Sequence, residues 1–307
     1  MAPSLIALDW GTSNLRASLL DVSGHLMEQR QSAMGVMKVP AAKFDAVLAE
    51  LCGDWMQAHN LPLIASGMVG SRQGWKEAPY LECPATLKQA AHCLTEVEFD
   101  RPEIGSHKVY IAPGLKCLDA NGQTDVMRGE ETQIWGAQLP PSSICVLPGT
   151  HSKWIWLDAD GDFQNFKTFM TGELYSLLTQ HSILGRLMDM SQSNAALNLD
   201  VFLRGVSLGV DGHAELMHSL FAARTAGLMG QLNATELPDF LSGILIGAEV
   251  GGAGLNAATQ VHLLGEGGLC DRYTQAFQHQ GISVVRVGEG ATTQGQWLLA
   301  REAGLVR

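Results

Sequence analysis

Leu5-Ile6-Ala7-Leu8-Asp9-Trp10-Gly11-Thr12-Ser13-Asn14-Leu15-Arg16-Ala17-Ser18-Leu19-Leu20-Asp21 decides how the rest of the chain is read. An apolar run ends on an acid, a Gly-Thr-Ser-Asn turn follows, and a second apolar run carries one arginine. The two runs read as buried strands and the polar turn between them as a hairpin. Such a turn aims backbone N–H groups and hydroxyls at one point, which suits a phosphate. Asp9, at the mouth of the hairpin, is placed to hold a Mg²⁺ ion that travels with a nucleotide. The competing reading is an ordinary hairpin with a polar tip, and the turn alone does not separate the two.

A second copy does. Ile144-Cys145-Val146-Leu147 runs into Pro148-Gly149-Thr150-His151-Ser152-Lys153, and Trp154 to Leu157 reads as the outgoing strand. In both copies a second turn and a third strand follow. Gly24 lies 13 residues after Gly11, and Gly161 lies 12 after Gly149. Position, apolar pattern and turn chemistry recur together, which predicts two similar half-molecules facing each other across a cleft. Pro140 to Ser143 is a plausible linker between them, so the expected lobes are residues 1–140 and 141–307.

Between and beyond the hairpins the pattern is mixed α/β. Helical stripes predict helices over 41–59, 171–187, much of 195–232, and a helix from Thr235 that breaks near Gly251-Gly252. Proline in a first turn suits that last start. Strands are expected at 61–65, 108–112, 261–264 and 282–287, with closing helices at 269–280 and 291–303. The last helix is free to return to the first lobe.

The totals limit the function. At 307 residues the chain is long enough for one large domain or two lobes. A net charge of −11 argues against non-specific binding to nucleic acid or to anionic membranes. The six cysteines form no C-x-x-C pair, as expected of reduced thiols in a cytosolic protein. No basic leader precedes the first strand, and the apolar run at Ile244 to Ile246 meets Glu249 too soon to span a bilayer. The expectation is a cytoplasmic protein acting on small molecules, and a homo-oligomer is compatible with that reading. The histidines lack metal-ligand spacing, and no G-x-S-x-G elbow is present.

Two Gly-Thr hairpins on facing lobes would grip a triphosphate from both sides. Thr12, Ser13, Asn14 and Arg16 would face the metal and the terminal phosphate; Gly149, Thr150, His151, Ser152 and Lys153 would face the inner ones. Phosphoryl transfer needs donors, one metal-holding acid and one base. Glu130, just after Gly129 at a predicted helix start, is a candidate base for a sugar hydroxyl, with Glu131 and Asp125 as rivals. The plain alternative for Glu130 is an acid that caps the helix or pairs with its dipole. Gly265-Glu266-Gly267-Gly268, between a strand and a helix, admits close approach of a flat ligand such as adenine. A dinucleotide motif competes there, but Cys270 stands where its third glycine belongs. In the loop from Ser66 to Trp75, Arg72 is suited to a substrate carboxylate and Trp75 to a sugar face.

Asp9-Trp10-Gly11-Thr12 resembles the first phosphate motif of the sugar kinase/heat-shock-70/actin superfamily. Pro148 to Lys153 resembles the second, and Gly265 to Gly268 matches the place of the adenosine motif. Gly129-Glu130-Glu131 stands where sugar kinases of the glycerol-kinase type carry Gly-Asp-Gln; here Glu replaces the Asp that serves as base. Within the superfamily the chain is most similar to the 2-dehydro-3-deoxygalactonokinase family. The resemblance covers Ser66 to Trp75, Arg128 to Gln133, Leu147 to Trp154 and Thr171 to Leu174. It implies a two-lobed actin-like ATPase (ribonuclease H-like) fold with a duplicated mixed sheet and a central cleft. It also implies ATP- and Mg²⁺-dependent phosphorylation of the 6-hydroxyl of 2-dehydro-3-deoxy-D-galactonate. The sites it implies are Asp9, Arg16 and Glu130 for catalysis and Asp9 for the metal. For ATP they are Gly11 to Asn14, Gly149 to Lys153, Gly265, Gly267 and Gly268. For the sugar acid they are Ser66, Gly67, Arg72, Trp75, Arg128 and Glu130.

Overall fold

The opening run forms a three-stranded meander: β1 (Pro3–Trp10) pairs antiparallel with β2 (Leu15–Asp21), and β2 with β3 (Leu26–Ser32). Residues 2–40, 43–119, 121–191, 196–255, 259–265 and 267–306 are described by this computed structural model. The chain divides into two units. The first is Met1–Ser142, Trp156–Phe166 and Gly288–Arg307; the second is Ser143–Ile155 and Lys167–Val287.

After β3 come α1 (Phe44–Ala58), β4 (Leu63–Ser66), β5 (Tyr80–Glu82), α2 (Leu87–His92), β6 (Thr95–Arg101), β7 (Gly105–Ile111), β8 (Gly114–Leu118), β9 (Thr124–Met127) and α3 (Glu130–Ala137). The main sheet has the order β3-β2-β1-β4-β7-β6. β4 runs parallel to β1 and β7 parallel to β4, and the edge strand β6 is antiparallel. Parallel central strands need both faces covered, and their residues are correspondingly apolar throughout: Leu5 to Leu8 and Leu63 to Ala65 are all buried. One face packs Leu8, Trp10, Leu15 and Ala65 against Phe44, Leu48 and Trp55 of α1, which explains the helical stripe. The segment 80–127 holds more structure than its pattern announced. A small sheet β5-β8-β9 forms there, and the strand expected at 108–112 is the second half of a β6–β7 hairpin.

The later part of the chain carries β10 (Ile144–Leu147), β11 (Ser152–Leu157), β12 (Phe163–Phe169), α4 (Thr171–His181), α5 (Leu199–Asp211), α6 (Leu216–Ser219), α7 (Ala222–Leu228), α8 (Leu237–Ala253), β13 (Gln260–Leu263), α9 (Gly267–His279), β14 (Ser283–Arg286) and α10 (Ala291–Glu302). The sheet order here is β12-β11-β10-β13-β14, with β10, β13 and β14 mutually parallel. That repeats the first sheet strand for strand, from the outer hairpin strand to the second parallel one. It is the duplicated mixed sheet of the actin-like ATPase fold. The expected start of the long helix at 195 and Glu266 in the glycine loop lie outside the described residues. The helix expected to break near Gly251-Gly252 runs on to Ala253 and ends at Gly254 in the left-handed conformation. Its glycines serve a helix crossing instead. A Cβ on Gly243 or Gly247 would lie 2.1 or 2.2 Å from the Phe202 or Val206 carbonyl of α5, so only glycine lets the backbones approach this closely. Among the described residues no helix is long and apolar enough to cross a membrane.

α10 belongs to the first unit and crosses α3 backbone to backbone: a Cβ on Gly295 would stand 1.8 Å from the Thr132 carbonyl. The next residue, Gln296, is fully buried and donates to the Leu8 carbonyl at 2.7 Å and to Ser66 Oγ at 2.9 Å. The ends of β1 and β4, where Asp9 and Gly67 begin, are thus braced from the far end of the sequence.

Candidate active site

In the first unit the hairpin closes with the Gly11 N–H donating to the Asn14 carbonyl at 2.9 Å. The Gly11, Thr12 and Ser13 carbonyls accept from the N–H groups of Val36, Met37 and Gly35. A Cβ on Gly35 would sit 2.2 Å from the Ser13 carbonyl carbon, so residues 35–37 lie flat against the turn. With its carbonyls taken by backbone, the turn leaves the side chains of Thr12, Ser13 and Asn14 exposed.

Asp9 and Arg16 face each other across β1 and β2, with Arg16 Nη1 3.7 Å from Asp9 Oδ2. Burial raises the pKa of the Asp9 carboxyl, and the Arg16 charge pulls the other way. Arg16 is exposed, so its guanidinium can exchange this loose pair for a stronger anion. Beyond Asp9 come two glycines in conformations that side chains resist. Gly67 has φ 93° and Gly129 φ 111°. A Cβ on Gly67 would lie 2.9 Å from the Trp10 carbonyl and 3.8 Å from Asp9 Oδ1, and one on Gly129 would lie 3.2 Å from Gly67 Cα. The backbone therefore stacks Asp9, Gly67 and Gly129 in contact, and Glu130, the first residue of α3, follows directly.

The three acids weighed as a base differ in surroundings. Glu131 is fully buried; both its oxygens accept from the Gly129 N–H, at 2.9 and 2.7 Å, and Oε1 also accepts from Thr132. Burial, then the neighbouring Glu130 charge, pushes its pKa up to about 7. Asp125 lies on β9, where Oδ1 accepts from the Val126 N–H at 2.7 Å. Glu130 is half-buried, and its Oε2 accepts from the Arg128 N–H at 3.1 Å.

The substrate-side candidates divide as well. Ser66 is buried under Gln296. Arg72 is exposed and pairs with Glu77 at 3.0 Å. The Trp75 ring stacks on Phe44 and touches Trp10 and Phe99, so it anchors the Gly67–Ala78 loop to the core. Arg128 is buried, donates from Nη2 to the Ala78 carbonyl at 2.8 Å and lies over the Tyr80 ring. Its Nε and Nη1 have no partner among the described residues.

In the second unit the Gly149 turn is built differently. Strand β11 already begins at Ser152, so Ser152 and Lys153 sit in the strand, where both side chains are buried. Lys153 Nζ donates to Thr168 Oγ1 at 2.6 Å. Thr150 and His151 are exposed, and His151 bonds to Glu173. The N-terminus of α4 presses on the turn: the Glu173 N–H donates to the Thr150 carbonyl at 3.0 Å, and a Cβ on Gly172 would lie 2.4 Å from the Gly149 carbonyl oxygen. Helix N-termini favour anions. Gly265, Gly267 and Gly268 are exposed, with φ of 142° and 72° at the first two. Open space surrounds the Cβ positions of Gly267 and Gly268.

Two residues of these sites escaped the sequence reading. Gln296 carried no local signal. Glu249 did: it is the one carboxylate inside a run of buried positions on α8, and a lone acid in an apolar helix needs buried partners.

The profile of the 2-keto-3-deoxy-galactonokinase family matches residues 9–299. The 2-dehydro-3-deoxygalactonokinase of Escherichia coli (strain K12) is 40% identical over 290 residues, covering 94% of each chain. A probable 2-dehydro-3-deoxygalactonokinase of Rhizobium meliloti (strain 1021) is 37% identical over 307 residues, covering 95% of this chain and 97% of that one. A crystal structure of a candidate 2-dehydro-3-deoxygalactonokinase from Sinorhizobium meliloti superposes with a TM-score of 0.82 at 36% identity, covering 97% of this chain and 98% of that one.

Proposed function

The chain belongs to the 2-keto-3-deoxy-galactonokinase family, and on that premise we propose that it transfers the γ-phosphoryl group of ATP to the 6-hydroxyl of 2-dehydro-3-deoxy-D-galactonate. The observation that carries the reading is the contact of Asp9, Gly67 and Gly129. It brings an acid suited to a metal and an acid suited to proton transfer onto one edge of the first unit.

Asp9 would hold Mg²⁺. The fit is good: its carboxylate is partly exposed at a strand end, and Mg²⁺ is normally held by one or two carboxylates, water and phosphate oxygens. Among the described residues no cluster of three or more carboxylate, His or Cys side chains gathers, so the phosphates and water would complete the shell. When bound, the ion neutralises developing charge on the phosphates. Glu130 accepts the proton of the attacking hydroxyl. Arg16 leaves Asp9 for the transferring phosphoryl group, and Thr12, Ser13 and Asn14 donate to it from the turn that the Gly11 N–H closes.

In the second unit the turn at Gly149, Thr150 and His151 binds the inner phosphates beside the α4 N-terminus, with Ser152 and Lys153 supporting it from the strand. Gly265, Gly267 and Gly268 take the adenosine. Ser66, Gly67, Arg72, Trp75 and Arg128 shape the sugar-acid side, where the two arginines are the cations available to its carboxylate. An enzyme spending ATP on a small sugar acid works in the cytoplasm.

The deciding experiment is coupled ADP release with 2-dehydro-3-deoxygalactonate, its gluconate epimer and a panel of sugars, scored by kcat/KM. The galactonate compound should lead. Equal or higher values for another sugar would move the substrate, and no ADP release with any would remove the kinase reading.

A further inference from the structure

Glu249 is 2 % exposed and sits in the C-terminal part of α8, whose other residues there are apolar or glycine. Trp154 Nε1 donates to its Oε1 at 2.6 Å. The Tyr273 hydroxyl donates to Oε2 at 2.6 Å, and the Thr171 hydroxyl donates to the same oxygen. Ser152 Oγ lies 2.9 Å from the Tyr273 hydroxyl oxygen. Tyrosine has one hydrogen, and it goes to the carboxylate, so Ser152 is the donor in that pair. One carboxylate therefore sets the orientation of four side chains drawn from β11, α4 and α9.

Apolar residues of similar volume would join these elements without desolvating a charge, so the carboxylate is weak as a source of stability. What it supplies is a single geometry, because each donor has one direction in which to point. The elements it joins are those of the nucleotide side. Ser152 follows the Gly149–His151 turn. Thr171 opens α4, whose Gly172 and Glu173 press on Gly149 and Thr150. Tyr273 lies on α9, which starts at Gly267.

We propose that Glu249 is the positioning residue of the nucleotide site, setting the Gly149 turn against the N-terminus of α4 and the start of α9. The proposal rests on the assignment of that turn to ATP. It touches no reacting atom; it acts through Ser152, Thr171 and Tyr273.

The test uses the full chain and two measurements: ADP binding by calorimetry, and steady-state KM values for ATP and for the sugar acid. Glu249→Gln replaces an acceptor oxygen with a donor facing other donors, and is expected to weaken ADP binding and raise the KM for ATP by about tenfold. The KM for the sugar acid should stay within about twofold of wild type, an allowance near the spread expected between uncoupled sites. Thr171→Ser should bind ADP as the wild type does, and Thr171→Val should not; Tyr273→Phe should follow Glu249→Gln. If Glu249→Gln does not fold, the Thr171 pair and Tyr273→Phe decide. Unchanged ADP binding in Glu249→Gln, Thr171→Val and Tyr273→Phe, or a parallel rise in both KM values, would overturn the proposal. A wild type that binds ADP but phosphorylates no sugar acid would sink the kinase reading and leave this one standing.

Discussion

The two Gly-Thr turns begin from the same sequence pattern and are held by different means. Around Gly11 the support is backbone: three carbonyls of the turn accept from three consecutive N–H groups of residues 35–37. The side chains of Thr12, Ser13 and Asn14 remain outside and free to face a ligand. Around Gly149 the support is side chain: Ser152 points inward to Tyr273 and so to Glu249, Lys153 reaches Thr168, and the end of α4 closes the turn from outside. Backbone support tolerates many side chains, since every residue but proline supplies the same N–H. Side-chain support specifies a particular hydroxyl or carboxylate and loses its geometry when one is exchanged. The repeat has kept its turn and replaced its scaffold.

The largest effect expected from this contrast is chemical and confined to the first unit. Glu130→Gln should lower kcat by about 10²–10⁴-fold and leave ADP affinity unchanged by calorimetry, because the turn proposed to hold the inner phosphates lies in the second unit. Turnover near wild type would remove Glu130 as the base. Next is Asp9→Asn, which should cut turnover by at least about tenfold at any Mg²⁺ concentration. Burial disfavours the charged form of Asp9, so Tm should hold or rise; a fall in Tm would mean that the acid serves the fold. The matched pair Gly35→Ala and Gly172→Ala breaks each scaffold in turn, since their added methyls would meet backbone at 2.2 and 2.4 Å. Each should cost about 1–3 kcal/mol by denaturant melt. The first should lower kcat, and the second should raise the KM for ATP. Swapped kinetics would overturn the division of labour.

The smallest effect is a pH slope. The Glu131 pKa of about 7 stands above its ordinary 4.5, so the folded state holds that proton more tightly than the unfolded one. Its contribution to stability is complete below pH 4.5 and is lost as pH rises through 7. The Tm of wild type relative to Glu131→Gln should therefore fall by about 5 °C between pH 5 and pH 8. A difference independent of pH would mean that Glu131 titrates normally.

The repeated strand–turn–strand, the stripe of α1 and the parallel strands at 261–264 and 282–287 follow from local pattern, because burial imposes a period on residues that are neighbours in the chain. Pattern also singled out Asp9. It did not show that Ser152 and Lys153 are buried in β11, which starts two residues earlier than the turn chemistry suggested. Within 80–127 it found only the strand at 108–112, because short strands such as Tyr80–Glu82 are too brief to show alternation. Nor does pattern choose among Glu130, Glu131 and Asp125, which differ only in what packs around them. Order along the chain is a matter of nearest neighbours, and these residues read it directly. Placement of Gln296 beside Leu8, 288 positions away, of Gly129 on Gly67 and of Thr171 on Glu249 came with the packed molecule, because those contacts exist only after distant segments have excluded water between them.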